Sequence, residues 1–562
     1  MLGEPALFAL AWRSCARVGP VTDEKRGQVL LNRLQRALGL QTIPAVFFTS
    51  AAVAALFVAL AIPFDAEVGQ GFGAVTAWVA RYLGWFYILS VSVLLAFLIF
   101  LAVSRYGTIR LGSDDALPDY SNLTWFTMLF AAGIGTILMF WGVAEPISHF
   151  AQPPFTDVEP ESERAARDAM TVAMYHFGLH TWTIFALPGL AIGYFAYRHD
   201  LPMRVSSLFY PLLGERIYGP LGAAVDVVAV LGTLFGVATS LGLGTLQLNS
   251  GLAYLFEVPR TGWVQVAIIA CITGVAATSV ALGLDKGIRR LSQANIVLSI
   301  ALIVFVAVAG PTVFIAEGMV QTLGDYLDAL PWLAFWTQAF SESDWQRQWT
   351  LFYWAWTISW APYVGIFIAR ISRGRTIREF VAGVLLAPTL FTLVWFAVFG
   401  LAAIDVAMSG KVELAAQVQD DPSVAIFAFL SVFPLAELAS ALSVIIIIIF
   451  FTTSSDSASL VIDLLTRRDD QPSLVRQRVF WALAQGGIAV TLLLAGGLEA
   501  LQNVITALGL PFCVLLIFMA LSLLRALHAD YRGYSVGELV YGRAYPQVDA
   551  APSSQQEKDD VS

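Results

Sequence analysis

Residues 84–104 read Gly84-Trp-Phe-Tyr-Ile-Leu-Ser-Val-Ser-Val-Leu-Leu-Ala-Phe-Leu-Ile-Phe-Leu-Ala-Val-Ser104, without one charged side chain. A helix needs about 20 apolar residues to cross a hydrocarbon core. Inside that core no water bonds the backbone, which leaves helices and closed barrels as the viable structures. A barrel strand would be about 10 residues long and would alternate apolar with polar. This run is longer and does not alternate, so it reads as a membrane helix.

Comparable runs lie at 45–62, 123–144, 170–197, 227–256, 261–284, 291–316, 348–369, 380–404, 438–455, 479–498 and 500–524, which with 84–104 gives twelve spans. The apolar stretch 422–436, ending before Glu437, reads as a short surface helix; counting it would give thirteen. The whole chain agrees: 58% of its 562 residues are hydrophobic and 13% charged, against roughly 25% charged in soluble domains. A pI near 5.1 and no basic stripe argue against nucleic acid as a partner. Cys15, Cys271 and Cys513 lie too far apart to suggest a disulfide framework or a metal site. The first apolar run, Leu7 to Trp12, is short and is followed rather than preceded by basic residues, unlike a secretory leader.

Lys and Arg in short loops set orientation. Alternate loops hold sixteen of them, from Arg105 and Arg110 to Arg476 and Arg478. The opposite loops hold four, Arg164, Arg167, Arg260 and Lys411, beside the acidic run at 157–163. This predicts cytoplasmic termini in a multi-pass protein of the cell (inner) membrane.

Four segments carry candidate chemistry. The third span holds Gly133-Ile-Gly135. Glycine inside a helix costs about 1 kcal/mol relative to alanine; here it serves either close helix packing or an unwound turn whose carbonyls meet an ion or solute. The eighth span, Trp349-Thr-Leu-Phe-Tyr-Trp354-Ala-Trp356-Thr357-Ile-Ser-Trp360, has four tryptophans in twelve residues. Trp349, Trp356 and Trp360 share a helical face. Such a face is either packing or a wall that holds a quaternary ammonium by cation–π attraction, worth about 2 kcal/mol when desolvated. The fourth span carries His176, Phe177, His180, Trp182 and Phe185. Its histidines stand at a zinc-like i,i+4 spacing with no third ligand in view, so they read as structural, and its rings extend the wall. The tenth span ends Phe450-Phe-Thr-Thr453-Ser454-Ser-Asp456. Single hydroxyls usually bond back to their own helix, but this many beside an intramembrane acid suggest an ion site.

Taken together these segments resemble the betaine/carnitine/choline family of secondary transporters. The resemblance rests on the stretch from Trp349 to Phe380, on Ser104-Arg-Tyr-Gly-Thr-Ile-Arg-Leu-Gly112, on Trp141-Gly-Val-Ala-Glu-Pro146, on Ala238-Thr-Ser-Leu-Gly-Leu-Gly244 and on Phe450 to Ser457. It covers roughly residues 43–530, leaving 1–43 as a cytoplasmic N-terminal segment, 44–530 as the transporter domain and 531–562 as a polar tail. It implies an all-α, LeuT-like membrane fold: twelve helices, with two inverted five-helix repeats at about 123–316 and 348–524, assembled as a homotrimer. Also implied is a mid-membrane solute site drawn from Phe177, Trp182, Phe185, Trp356, Thr357 and Trp360, with Gly133 and Gly135. The sodium site of the family would fall on the carbonyls of Ala131, Ile134 and Phe450 and the hydroxyls of Thr453 and Ser454, with a further sodium near Thr239.

The chain departs from the family's pattern in three places. Trp356-Thr357 stands where betaine carriers usually show Trp-Trp, Phe177 and Phe185 stand where Trp and Tyr are common, and Gly133-Ile-Gly-Thr-Ile137 replaces Gly-Met-Gly-Ile-Gly. A looser, less electron-rich box suits a zwitterion other than betaine. The expectation is therefore a secondary transporter importing a small zwitterionic, quaternary-ammonium or sulfonium solute with sodium as coupling ion and no organic cofactor. Proton coupling through Glu145 or Asp456, or solute/solute exchange, is the alternative. No pore-lining charge repeat or catalytic constellation is visible to suggest a channel or an enzyme.

Overall fold

The structure, a computed structural model, describes residues 23–541 apart from Ile134, Gly283, Leu284, Glu342, Asp469, Asp470 and Ser535. Most of the expected polar tail, with Glu557, Asp559 and Asp560, and the start of the N-terminal segment, with Cys15, lie outside the described residues. The described chain is helical, and its β pairing amounts to two isolated bridges, Thr42 with Arg467 and Arg110 with Thr376.

The principal helices are α1 (Asp23–Ala37), α2 (Pro44–Ala61), α3 (Asp65–Val103), α4 (Asn122–Gly133), α5 (Thr136–Ala151), α6 (Glu163–Phe177), α7 (Leu179–Arg198) and α8 (Pro220–Phe256). They continue with α9 (Gly262–Leu282), α10 (Asp285–Ala309), α11 (Thr312–Leu333), α12 (Thr350–Ile371), α13 (Ile377–Phe396), α14 (Ala436–Thr466) and α15 (Val475–Tyr531). Among the described residues, ten helical stretches are long and apolar enough to cross a membrane. The sequence runs and this number differ in two places, each with a glycine cause. The run 123–144 is not one helix: α4 stops at Gly133, and Gly135 is extended (φ −131°, ψ 169°) before α5 starts. The runs 479–498 and 500–524 fuse into α15, 57 residues long. A straight helix of that length would measure about 85 Å, far beyond a hydrocarbon core of about 30 Å. The chain turns instead at Gly496 (φ 158°, ψ 16°) and Gly497 (φ 59°, ψ −131°), values that side-chain-bearing residues rarely adopt.

Burial separates centre from rim. The most apolar window of the α6–α7 stretch is 89% buried and that of the α12 stretch 83%, whereas those of α2 and α10 are 28% and 22% buried. Helices that are apolar all round but poorly covered by protein face lipid; those covered on every side form the core. Close approach at the centre depends on small residues: a Cβ on Gly365 of α12 would stand 2.9 Å from Pro188 of α7. The stretch 422–436 forms a 3-10 turn, Pro422–Val424, running into a short α-helix, Ala425–Leu430. It is not superficial as expected, because Ile426, Phe427, Phe429 and Leu430 are buried.

The basic loop between α12 and α13 is a clamp. Arg375 is buried (2% exposed) and donates to Asn122 Oδ1 at 2.8 Å and to the Tyr120 carbonyl at 3.0 Å. Its guanidinium lies 3.9 Å from the Trp125 ring centroid. The next residue, Thr376, caps α13 in a reciprocal box with Glu379. The start of α4 is thereby fixed against the α12–α13 turn.

Candidate functional site

Gly178 interrupts the helix between α6 and α7 (φ −92°, ψ −135°). The two histidines therefore do not share a helical face, as their spacing suggested. His180 stacks on Trp354 at 5.6 Å between ring centroids, while His176 turns the other way, toward α5.

The aromatic candidates on this crossing are placed as follows. The Phe177 ring is 4.9 Å from Tyr353 and 5.2 Å from Phe396. Trp182 meets Phe185 edge-on at 5.5 Å. Trp356 stacks on Phe352 at 5.4 Å and donates its indole N–H toward Ser240 Oγ (3.1 Å) and the Gly236 carbonyl (3.3 Å) on α8. Trp360 also borders Gly236, where a Cβ would stand 2.9 Å from its ring. Thr357 returns its hydroxyl to the Tyr353 carbonyl at 2.8 Å. Phe177, Trp182, Phe185, Trp356 and Thr357 are buried and Trp360 is half-buried. Among the described residues no ring contact joins Trp182 or Phe185 to Trp356 or Trp360; α7 and α12 pack along one another and carry the two sets side by side. Trp349, placed on the same face by spacing, goes instead to His149 at 4.4 Å, while Trp354, which spacing sets on another face, stacks on His180.

The oxygen-rich candidates lie on α14, which packs on α5. Thr453 donates to the Ile449 carbonyl at 2.9 Å and the Phe450 carbonyl at 3.1 Å. Ser454 is half-buried and Phe450 buried. A hydroxyl that donates its proton keeps lone pairs for another partner. Ala131 and Gly133 belong to the last turn of α4 and Gly135 precedes α5, while Ile134 lies outside the described residues. On α8, Thr239 is fully buried, and its hydroxyl has no hydrogen-bond partner among the described residues.

The third group was not legible in the sequence. Glu145 and His149, one turn apart on α5, meet His176 from α6, and all three side chains are fully buried. His176 Nδ1 is 2.6 Å and His149 Nε2 3.3 Å from Glu145 Oε1. Thr350 Oγ1 holds His176 Nε2 at 2.9 Å, and the Trp345 indole reaches His149 Nδ1 at 3.4 Å. One ligand-capable atom from each of the three lies within 4.8 Å of the others. His176 thus has partners that spacing along its own helix concealed. The available signal was Glu145-Pro-Ile-Ser-His149, an acid and an imidazole at i,i+4 inside an apolar run.

The match with known proteins is broad. The family model for betaine/carnitine/choline family transporters covers residues 45–532. An ectoine/glycine betaine/proline transporter of Corynebacterium glutamicum is 44% identical over 498 residues, 88% of this chain and 81% of that protein. A glycine betaine transporter of Acinetobacter baylyi is 44% identical over 493 residues, 87% of this chain and 74% of that protein. The high-affinity choline transport protein of Escherichia coli is 40% identical over 496 residues, 87% of this chain and 73% of that protein. Identity at this level across most of both chains leaves one assignment: this multi-pass helical protein belongs to the betaine/carnitine/choline family of transporters.

Proposed function

We propose that the protein imports a small zwitterionic or quaternary-ammonium/sulfonium compatible solute (betaine, choline, carnitine or an analogue), driven by sodium. The observation that carries this reading is the buried aromatic seam of α7 and α12 in a chain of this family. Phe177, Trp182, Phe185, Trp356, Thr357 and Trp360 would line the solute's path, beside the interrupted backbone at Gly133 and Gly135. Ring faces attract a desolvated cationic head by about 2 kcal/mol each. The relatives' named solutes, which include ectoine, proline, glycine betaine and choline, fit that chemistry. Thr357 in place of a second ring favours a solute other than betaine.

Sodium would bind carbonyls of Ala131, Ile134 and Phe450 with hydroxyls of Thr453 and Ser454, since neutral oxygens suit a hard cation. The interrupted helix at Gly135 supports this placement, and the unpartnered Thr239 hydroxyl supports a further sodium position. Dividing α15 at its glycine corner and joining α4 to α5 recovers twelve spans, the count that inverted repeats at about 123–316 and 348–524 require. A homotrimer in the inner membrane with cytoplasmic termini, a domain spanning 44–530 and the absence of catalysis complete the reading. Proton-coupled uptake or solute exchange by the same fold is the second reading, favoured by the burial of Glu145. Uptake into proteoliposomes of labelled betaine, choline, carnitine, sulfonium and sulfonate solutes, with and without a sodium gradient, tests both. Accumulation that needs sodium is expected, and indifference to sodium for every solute would overturn the first reading.

A further inference from the structure

Glu145 sits in apolar surroundings between α5, α6 and α12, and its hydrogen-bond partners fix the protons around it. An indole can only donate, so the Trp345 contact makes His149 Nδ1 an acceptor. Neutral His149 then carries its proton on Nε2 and donates to Glu145 Oε1. His176 donates from Nδ1 to the same oxygen and accepts from the Thr350 hydroxyl at Nε2. With both imidazoles neutral, an ionised Glu145 leaves the cluster at net charge −1. Its second oxygen, Oε2, is buried, and beyond the two imidazoles the carboxyl interacts only with the neutral Tyr353 hydroxyl among the described residues. No described Lys or Arg forms an ion pair with it. A net charge at this depth is costly, and intramembrane acids are characteristically functional. One added proton, on the carboxyl or on an imidazole, makes the cluster neutral.

We propose that the Glu145–His149–His176 cluster is a proton-binding site, loaded and emptied once per transport cycle. This inference rests on the uptake reading and names a coupling ion for it in addition to sodium. Its position next to the aromatic seam supplies the link: the Tyr353 ring touches both His176 (5.0 Å) and Phe177 (4.9 Å), so proton occupancy and solute occupancy bear on one side chain. Buried titratable groups on the surrounding elements are Tyr353 on α12, Tyr175 on α6, His180 on α7 and Tyr326 on α11; α6 also carries Glu163, Arg164, Arg167 and Asp168, and α11 carries Glu317, Asp325 and Asp328, with Arg167 paired to Asp325. Toward the rim, Arg347 pairs with Asp344; on the short helices beside α5, Asp405 is half-buried and Asp420 exposed. A divalent metal is the competing occupant, since the donors are two imidazoles and a carboxylate. Binding through His149 Nε2 would move that ring's proton to Nδ1, where it would face the Trp345 N–H. The tautomers favour the proton.

The test uses full-length protein in proteoliposomes with sodium held equal on both sides. Acidifying the outside should drive solute accumulation, by up to about tenfold per pH unit if one proton moves per solute. Glu145→Gln should lose this response. Robust wild-type uptake that ignores the pH gradient, or a response that survives in Glu145→Gln, would overturn the proposal. If Glu145→Gln does not assemble, Thr350→Val, which removes one hydroxyl from His176, must shift the pH of half-maximal uptake; an unchanged midpoint overturns the proposal. If no solute is carried at all, the uptake reading fails, and a second readout still decides the site. Infrared difference spectra follow the proton on either group, so the wild type should show a carboxyl or imidazolium band with a pH step that Glu145→Gln removes or shifts. An absent step counts against the proposal. Stoichiometric zinc binding by calorimetry that disappears in Glu145→Gln would replace the proton by a metal.

Discussion

Two polar regions flank α5, and they differ in kind. On α14, Thr453 and Ser454 offer neutral oxygens, and Thr453 is already bonded within its own helix. On α5 itself, Glu145 and His149 form with His176 of α6 a titratable cluster drawn from separate helices. Neutral oxygens stabilise a hard cation through dipoles and do not respond to pH in the physiological range. A carboxyl between imidazoles can hold one proton more or less, and it offers sodium one charged oxygen already engaged by two N–H donors. The difference teaches that, on the proposed reading, sodium dependence and pH dependence would rest on different residues and be separable by mutation.

Variants can break or sharpen that contrast. The largest effect is expected from Trp356→Leu or Trp182→Leu, the control that should move neither ion dependence. Losing one cation–π contact of about 2 kcal/mol corresponds to roughly thirtyfold in apparent solute affinity. Unchanged affinity in both well-expressed variants would make these rings packing alone. Next comes the response to a pH gradient, up to about tenfold per unit, which Glu145→Gln removes while the sodium concentration for half-maximal uptake stays within about twofold of wild type. Equal disturbance of both dependences would collapse the two regions into one site. A smaller change is expected from Thr453→Ala with Ser454→Ala. Two lost dipoles of about 0.7 kcal/mol each, the lower part of the range for one net hydrogen bond, raise the half-saturating sodium concentration by about tenfold. The pH response should persist, and saturating solute should restore part of the sodium affinity because coupling is reciprocal. An unaltered sodium curve would show that the hydroxyls only cap their own helix. The smallest effect is at Thr357→Trp, which adds a ring beside Trp356 and should shift the ratio of betaine or choline uptake to that of the native solute, read in a competition assay. A constant ratio would remove position 357 from selectivity.

The membrane fold was legible because its cause is local: runs such as 84–104 are too long and too apolar for any other role. The glycine break at 133–135 was legible as one of two alternatives, and the extended Gly135 realises the interrupted one. The corner at Gly496-Gly497 was not anticipated, since periodicity describes a span and says nothing of how tightly two spans join. The Trp356 face was legible, but its turn toward Ser240 was not, because the partner lies on α8, more than a hundred residues away. The same limit hid the Glu145 cluster. His176 and His180 invited a reading along one helix, whereas Gly178 ends that helix and the acid arrives from α5. Chemistry assembled from distant segments is set by packing, and one-dimensional spacing does not encode it.

The glycine corner of α15 also bears on how the protein is made. The two limbs, 475–495 and 498–531, are joined by two residues, with only Glu499 charged near the bend. Both free ends are tied down: Gln477 near the start accepts from the Gln41 N–H and donates to Asp463, while near the finish His528 pairs with Tyr106 and Asp530 with Arg198. So short a connection gives neither limb an orientation of its own during synthesis. Such a pair would enter the bilayer together as a helical hairpin, with Arg476 and Arg478 on one limb and Arg525 and Arg532 on the other as the charges that orient it. A positive charge inserted at the bend would therefore oppose both limbs at once.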